Sequence, residues 1–229
     1  MTGKWIKPRA VVFDNDGLLL DTEPCWTLAE EALFAAYGRQ FDLAAKRSLV
    51  GTSPRTAAPI LERLLAGADT GERLSEQLYA LALTQIAAGA SPRPGAADLV
   101  PRLRATGLPL AVASNSPRRH LLAGLRRTAM HDAFDVVLGV DDVVNPKPAP
   151  DLYLAACAGL NVAPADAVAL EDSPPGVAAA RAAGLRVIGI PSVAGVVLTA
   201  ADMVADSLAD ASVYQALGLD PEASERSGS

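Results

Sequence analysis

Cysteine and histidine are scarce in this chain of 229 residues, which contains two of each. Cys25 and Cys157 are too far apart in the sequence to form a metal-binding or redox motif, which needs closely spaced cysteines. Two cysteines also cannot build the disulfide framework of a small secreted domain. We therefore expect a reducing, cytoplasmic setting for this protein.

Long apolar runs are missing as well. A membrane-spanning helix needs about 20 consecutive apolar residues, and no segment of the sequence approaches that length. Residues Met1–Lys7 lack the apolar stretch of a secretory signal peptide. We therefore expect no membrane partner, which agrees with a cytoplasmic location.

Basic residues are outnumbered by acidic ones, at 20 Lys and Arg against 26 Asp and Glu, for a net charge of −6. Nucleic acid is bound by a basic face, so we expect no nucleic-acid partner. A small phosphorylated metabolite needs positive charge only locally and stays open as a partner. Half of the residues are hydrophobic, enough to bury a sizeable core.

Two acids follow the first apolar run directly. Ala10–Phe13 predicts a buried strand, and Asp14–Gly17 reads Asp-Asn-Asp-Gly. Side chains two positions apart on a strand point the same way, so Asp14 and Asp16 face one small volume. Their mutual repulsion there must be relieved by a metal ion or a proton. A plain polar turn is the alternative, whereas an EF-hand calcium loop is excluded because leucines occupy the positions that need an oxygen ligand and a glycine.

Residues 24–90 contain no strand-like stretch and favour helices. The segments richest in the helix formers Ala, Leu and Glu are residues 26–36, 57–66 and 72–88. This helical insert closes at the Pro- and Gly-containing segment 91–95, which we interpret as a linker. The predicted division is an α/β core of residues 1–22 and 93–229, and a helical domain of residues 23–92.

From residue 96 onward, helical and strand-like segments alternate. The later strands are expected at Leu110–Ala113, Val136–Leu138, Val168–Leu170 and Val187–Ile190. Helices are expected over residues 96–105, 151–158 and 174–183, the last with Ser173 as its N-cap. A further helix is expected to begin after Ser116 as its N-cap, with Pro117 as the first helical residue. The predicted fold class is therefore α/β, a doubly wound parallel sheet with a small all-helical domain inserted after the first strand.

Polar residues follow four of these segments, where a doubly wound sheet binds its ligands. They are Asp14 and Asp16, then Ser114 and Asn115, then Lys147, and last Glu171 and Asp172. Each has an ordinary structural explanation, such as a strand-end serine, a solvated lysine or helix-capping acids. Their order at successive strand ends favours a single site.

This set of side chains suits phosphoryl transfer, which depends on positioning and on charge stabilisation. Asp14 can attack phosphorus, and Asp16 can protonate the leaving oxygen and then deprotonate the attacking water. Ser114 can donate a hydrogen bond to a phosphate oxygen, helped by the start of the next helix. Lys147 can neutralise charge, and Asp172 together with Asp14 offers oxygen ligands to Mg²⁺.

These motifs resemble those of the haloacid dehalogenase (HAD) superfamily of phosphohydrolases. The four matching segments are Asp14–Asp21, Ser114–Asn115, Lys147–Asp151, and Glu171–Ser173 with Gly176 and Ala182–Gly184. The resemblance runs from about residue 9 to about residue 193. It implies a Rossmann-like core, and the helical insert is similar to the small cap of the beta-phosphoglucomutase-like branch.

The resemblance implies a role for each core residue. Asp14 would be the nucleophile that forms an aspartyl phosphate, and Asp16 the general acid and base. Mg²⁺ would be held by the side chains of Asp14 and Asp172 and by the backbone carbonyl of Asp16. Phosphate would be held by Ser114, Asn115 and Lys147.

The resemblance also implies that Glu171 supports the metal site from behind the ligands. The cap would close over the core and select the substrate, and Glu23, Trp26 and Arg55 are the candidates to line it. Packing inside the cap is the alternative for Trp26. His120 and His131 lie outside the cap in sequence, and we interpret both as surface or packing residues.

Family members differ in chemistry. Dehalogenases and phosphonate hydrolases lack the second acid, which is Asp16 here. Phosphonate hydrolases also use a lysine of the cap, and the single lysine in the predicted cap of this chain is Lys46. Sugar-phosphate mutases carry a cap histidine near position 26, where this chain has Trp26. The resemblance therefore implies a Mg²⁺-dependent phosphatase for a small phosphate monoester, such as a sugar phosphate. A beta-phosphoglucomutase-type mutase and a non-catalytic binding protein remain the alternatives, and we expect a monomer.

Overall fold

A parallel sheet carries the polar residues that the motifs predict. The computed structural model describes residues 7–50, 52–193 and 195–221. Within them the strands are β1 (Ala10–Phe13), β2 (Leu20–Asp21), β3 (Ser91–Pro92), β4 (Leu110–Ala113), β5 (Val136–Leu138), β6 (Ala167–Glu171), β7 (Arg186–Gly189) and β8 (Met203–Val204). Six of them form one sheet in the order β5-β4-β1-β6-β7-β8, with all neighbours parallel.

Helices cover both faces of this sheet. They are α1 (Glu23–Ala36), α2 (Leu43–Leu49), α3 (Pro54–Leu64), α4 (Gly71–Gly89), α5 (Ala96–Ala105), α6 (Arg118–Arg127), α7 (Asp151–Gly159), α8 (Pro174–Ala182) and α9 (Ala211–Ala216). Alternate residues of β1 pack into different clusters, because successive strand side chains point to opposite faces. Val11 and Phe13 join one core cluster, and Ala10 and Val12 join another. The predicted doubly wound α/β class is confirmed.

The helices α1 to α4 lie between β2 and β3 in the chain and pack around a cluster of their own. Its large buried members are Leu33, Phe34, Leu49, Leu61, Leu65, Leu74, Leu78 and Tyr79. β2 and β3 pair antiparallel, so residues Ser91 and Pro92, which the sequence suggested as linker, form a short strand. We call α1 to α4 the helical cap. The predicted domain boundaries themselves stay a prediction, and the ends of the predicted core, residues 1–6 and 222–229, lie outside the described residues.

The start of α8 agrees with the prediction from the sequence, whereas the predicted start of α6 is wrong by one residue. The hydroxyl of Ser173 accepts a hydrogen bond from the backbone N–H of Gly176, as expected for an N-cap. Ser116 was expected to cap the helix that follows β4. That helix, α6, begins one residue later than this prediction requires, with Pro117 in the N-cap position and no hydrogen bond from a capping side chain. The N–H of Ser116 instead donates to the hydroxyl of Ser114 (3.0 Å), which holds the turn after β4.

Some elements escaped prediction because they are short. The helices α2 and α9 have seven and six residues, and β2, β3 and β8 have two each. Such lengths carry too few residues for a periodic apolar pattern. Among the described helices, none is both long enough and apolar enough to cross a membrane.

Candidate active site

The sheet brings the predicted residues to one edge, because β4, β1 and β6 are neighbours. The backbone N–H of Asp14 donates to the carbonyl of Leu170 (3.0 Å), so the residue after β1 is still held by β6. The N–H of Ser114 donates in the same way to the carbonyl of Leu138 (3.1 Å), at the end of β5. The sheet thus fixes the backbone of both residues and pairs their buried N–H groups, independently of the contacts that their side chains make.

Lys147 is a buried cation between two carboxylates. Its Nζ lies 2.6 Å from Oδ1 of Asp14 and 2.5 Å from Oε1 of Glu171. Its side chain is only 4% exposed. Burial alone lowers the pKa of a lysine, but the charges of Asp14 and Glu171 outweigh it and raise the pKa of Lys147. The lysine is therefore a permanent positive charge at the edge of the sheet.

Glu171 has both carboxylate oxygens occupied by donors. Oε1 also accepts a hydrogen bond from the hydroxyl of Tyr153 (2.7 Å), and the Tyr153 ring lies 5.0 Å from the Lys147 nitrogen. Oε2 accepts from the backbone N–H of Asp172 (3.1 Å) and from the hydroxyl of Ser173 (3.1 Å). This arrangement leaves Glu171 little capacity to bind a metal, which fits the supporting position predicted for it.

Asp16 accepts a hydrogen bond at each carboxylate oxygen. The hydroxyl of Thr22 donates to Oδ1 (2.6 Å), and the hydroxyl of Ser114 donates to Oδ2 (3.0 Å). Thr22 occupies the N-cap position of α1, yet its side chain does not cap that helix. Its hydroxyl is committed to Asp16 instead. Each oxygen keeps a further lone pair, so Asp16 can carry a proton while it accepts these bonds.

Asn115 uses its side chain on the loop that carries Lys147. Its Oδ1 accepts a hydrogen bond from the backbone N–H of Lys147 (2.9 Å), and its Nδ2 donates to the carbonyl of the same residue (3.1 Å). The predicted role was contact with phosphate. The structure shows that this side chain first fixes the Lys147 backbone, and one N–H of its amide remains for a ligand.

The carboxylates at this edge can hold a divalent cation. One carboxylate oxygen of each of Asp14, Glu171 and Asp172 lies within 4.8 Å of the other two, and of these residues Asp14 and Asp172 line the cavity. Burial, followed by the charge of Glu171, raises the pKa of Asp172 to about 7. Burial also raises the pKa of Asp14 well above its usual value, against the lowering effect of Lys147. One lysine cannot neutralise three buried carboxylates, so hard oxygen donors and excess negative charge fit a cation such as Mg²⁺.

A cavity of about 820 Å³ opens between this edge and the helical cap. The predicted core residues that line it are Asp14, Asp16, Ser114, Asn115, Lys147 and Asp172. Of the cap candidates, Glu23 and Trp26 also line it. Arg55 does not: its exposed side chain borders a separate cavity of about 420 Å³, together with Glu72 and Arg119. The structure therefore does not bring Arg55 to the candidate active site.

Trp26 is fixed by two other rings. Its indole stacks on the imidazole of His120, with centroids 5.8 Å apart and planes 6° apart, and meets the ring of Tyr79 edge-on at 5.0 Å. His120 is buried on α6 and its Nε2 lies 2.7 Å from the carbonyl oxygen of Tyr79. Burial lowers the pKa of His120, so a neutral ring donates to that carbonyl. His120 packs the cap onto the core, while His131 pairs with Asp132 at the surface.

Five side chains in and around the cavity were not singled out as site residues from the sequence. They are Thr22, Glu30, Lys46, Tyr153 and Ser192. Thr22 follows Asp21 in the first motif and could have been found there. Ser192 donates a hydrogen bond to Oδ2 of Asp172 (2.6 Å), but it lies in a loop without a motif. Tyr153 has the pattern of an ordinary buried helix residue.

Comparison with known proteins agrees with this geometry. A family model described as haloacid dehalogenase-like hydrolase matches residues 8–184. The phosphorylated carbohydrates phosphatase of Thermotoga maritima is 34% identical over 183 residues, which are 80% of this chain and 85% of that protein. CbbY from Rhodobacter sphaeroides, solved in complex with phosphate, superposes with a TM-score of 0.81 at 31% identity, covering 93% of this chain and 100% of that chain.

A mutant of the same CbbY was solved with xylulose-1,5-bisphosphate. It superposes with a TM-score of 0.77 at 30% identity and covers 89% of this chain and 96% of that chain. The match to the family model spans more than three quarters of the sequence, and its range contains all four motifs. The chain belongs to the haloacid dehalogenase-like hydrolase family, in its beta-phosphoglucomutase-like branch, and is an enzyme of the phosphoric monoester hydrolase class.

Proposed function

We propose that this enzyme is a Mg²⁺-dependent phosphatase that hydrolyses a sugar phosphate, or a similar small phosphate monoester, through an aspartyl phosphate. The main observation behind this proposal is the buried ion pair of Asp14 and Lys147, whose Oδ1 and Nζ atoms lie 2.6 Å apart in the lining of the large cavity. A carboxylate held beside a fixed cation, with Asp16 two residues further on, supplies a nucleophile and a proton carrier at one place. The phosphorylated carbohydrates phosphatase supports a sugar phosphate as the substrate.

In the first half of the reaction, an oxygen of Asp14 forms a bond to phosphorus as the bond from phosphorus to the leaving oxygen breaks. Asp16 gives its proton to that oxygen, so the sugar departs as a neutral alcohol. In the second half, Asp16 takes a proton from water, whose oxygen attacks phosphorus and releases Asp14 and inorganic phosphate. Thr22 holds Asp16 in position for both transfers, and Ser114 does so until it donates to phosphate.

The charge of the transferred group is balanced by groups around it. Lys147 neutralises phosphate oxygens and lowers the pKa of Asp14 against the effect of burial, and Ser114 can donate to phosphate when it leaves Asp16. A bound Mg²⁺ would supply further charge neutralisation, held by the side chains of Asp14 and Asp172 and the backbone carbonyl of Asp16. Glu171 orients Lys147 and the backbone of Asp172.

A mutase is not favoured by the cap. The position that carries a histidine in such mutases holds Trp26, and His120 is engaged with Tyr79 behind that ring. Among the described residues, those that line the cavity include no histidine. A purely binding role is not favoured either, because Asp14, Asp16 and Lys147 are all in place.

The test is a panel of small phosphate monoesters, assayed with Mg²⁺ and again with a chelator. We expect turnover of sugar phosphates only with the metal, and a phosphate adduct on Asp14 detectable by mass spectrometry after rapid quenching. Asp14→Asn should abolish both, whereas Asp132→Asn, at an exposed position, serves as the matched control. If Asp14→Asn kept most of the activity, the nucleophile would be another residue.

A further inference from the structure

A lysine and two glutamates form a cluster on the cap side of the cavity. The Nζ of Lys46, on α2, lies 2.6 Å from Oε1 of Glu23 and 2.7 Å from Oε2 of Glu30, both on α1. The side chain of Glu30 is 3% exposed and that of Lys46 is 15% exposed. All three residues line the same cavity as Asp14. This cluster therefore faces the space that the leaving group of a substrate would fill.

The cluster keeps hydrogen-bonding capacity in reserve. An ammonium carries three N–H donors, and the two glutamates engage at most two of them. Each carboxylate has a second oxygen that can accept a hydrogen bond. Lys46, Glu23 and Glu30 can thus offer a donor and acceptors together, which is the pattern that neighbouring hydroxyl groups of a sugar or polyol require.

The surrounding wall is apolar and shaped by large side chains. Leu49, Leu78, Tyr79 and Trp26 line the cavity beside the cluster. Trp26 and Tyr79 are held in place by their edge-on contact. A few fixed polar groups within an apolar wall are typical of small-molecule sites, where the polar groups set orientation and specificity.

Charge in the cavity opposes a second anionic group. The described lining residues contain six carboxyl groups against three basic side chains, which are Lys46, Arg93 and Lys147. Lys147 is committed to Asp14 and Glu171, and Lys46 is outnumbered by its two glutamates. A phosphate at the far end of a substrate would lie against the carboxyl groups of Glu23 and Glu30, of which Lys46 can neutralise only one.

We propose that Lys46, Glu30 and Glu23 form the leaving-group site of the enzyme, which takes the neutral, hydroxyl-bearing part of a monophosphorylated sugar or polyol and disfavours a second phosphate. This inference rests on the proposed phosphatase function and adds the substrate class to it. CbbY was solved with a bisphosphate, whereas we expect this enzyme to prefer a monophosphate.

The experiment compares kcat/KM for a hexose monophosphate, the matching hexose bisphosphate and p-nitrophenyl phosphate, whose leaving group has no sugar hydroxyls. In Lys46→Met, the ratio of hexose monophosphate to p-nitrophenyl phosphate should fall about tenfold or more, mainly through KM, because a charged hydrogen bond to the sugar is lost. Lys46→Arg should restore part of the ratio. Arg47→Met changes the exposed neighbour on the same helix and should leave the ratio unchanged.

A second variant keeps the test independent of folding effects at Lys46. Glu30→Gln removes a carboxyl group whose pKa burial raises to about 7. Assayed at pH 8, where that group is ionised, it should raise the ratio of bisphosphate to monophosphate turnover severalfold. Equal losses for all three substrates in Lys46→Met would show that the cluster only holds α2 to α1, and would overturn the inference. Equal turnover of the two hexose phosphates by the unmodified enzyme would overturn it as well. If no ester were hydrolysed at all, the proposed function itself would fail, and this inference with it.

Discussion

The ammonium nitrogen of Lys147 lies 2.6 Å from Oδ1 of Asp14, although the two residues are 133 positions apart in the sequence. Both side chains are less than a tenth exposed. The same nitrogen reaches Glu171 at 2.5 Å, so one buried cation serves two buried carboxylates. Removing it would leave two charges without compensation in a low-dielectric environment, where each is costly.

Lys147→Met should therefore damage both stability and activity. We expect a loss of about 3–5 kcal/mol in the free energy of unfolding, as for one partner removed from a buried ion pair. Urea unfolding measures this, and turnover of the best phosphate ester should fall to background. The double variant Lys147→Met with Glu171→Gln should regain part of the stability and none of the activity. A single variant with unchanged stability would contradict the reasoning.

Thr22→Val tests the hydrogen bond that holds Asp16. The substitution conserves shape and removes the donor at 2.6 Å, and it takes no cap from α1, because the Thr22 side chain does not cap it. We expect kcat to fall about tenfold, the value of one hydrogen bond to a charged group, with KM nearly unchanged. The loss should be larger for alkyl phosphates than for p-nitrophenyl phosphate, whose leaving group needs less protonation.

Two comparisons make the Thr22 result specific. Ser114→Ala removes the other donor to Asp16 but also a group proposed to hold phosphate, so it should raise KM and weaken inhibition by phosphate in addition to lowering kcat. Thr106→Val removes a hydroxyl that donates to the carbonyl of Leu103, on α5, and should leave kinetics unchanged. Equal effects of Thr22→Val and Thr106→Val would refute a positioning role for Thr22.

The sequence allowed us to predict that the residues of the core motifs lie close together, for a simple physical reason. Parallel strands end at a common edge, so residues that follow them, such as Asp14, Ser114 and Lys147, must approach one another once the strands are recognised. The apolar runs made those strands recognisable. What each residue bonds to was not predictable, as Asn115 shows, because side-chain contacts depend on distances that strand order does not fix.

The cap side of the site was less predictable. Lys46 lies on a helix of seven residues that has no clear periodic signal, and its contact with Glu30 depends on how α2 packs on α1. Arg55 was placed by resemblance, and its helix instead directs it to the second cavity. A motif that directly follows a strand fixes where its side chains lie. The positions of side chains in the cap depend instead on how the helices pack, which a single sequence does not determine.

Asp172 should determine the response of the protein to Mg²⁺. A ligand that binds only the folded state stabilises it, by about 2.7 kcal/mol at a hundredfold excess over its Kd. We expect Mg²⁺ to raise Tm in a concentration-dependent way and Asp172→Asn to abolish the rise. Without metal, Asp172→Asn should be at least as stable as the unmodified protein, because it removes one of three crowded carboxylates. A full Mg²⁺ response in Asp172→Asn would exclude this residue as a ligand.

Gly176→Ala should disrupt Glu171 by direct overlap. A Cβ at residue 176 would overlap Oε1 of Glu171, so the carboxylate must move and release its hold on Lys147. We expect activity to fall by at least about tenfold, since a charged hydrogen bond is lost, with a lower Tm. Gly89→Ala, at the end of α4, is the control, because its Cβ would meet Cys25 Sγ at 3.5 Å, an ordinary van der Waals contact. Normal activity in Gly176→Ala would show that Glu171 is not needed where it lies.

Glu30 gives the protein a pH-dependent stability with a defined sign. Burial, only partly offset by Lys46 and increased by Glu23 and Glu31, raises the pKa of Glu30 to about 7. Ionisation then costs more in the folded than in the unfolded chain, so stability is lost as pH rises through the folded pKa. Urea unfolding should show Glu30→Gln gaining roughly 2 kcal/mol on the unmodified protein between about pH 5 and pH 8, with Glu76→Gln, at an exposed position on α4, as the control. A difference that stays constant with pH would mean that Glu30 is ionised throughout.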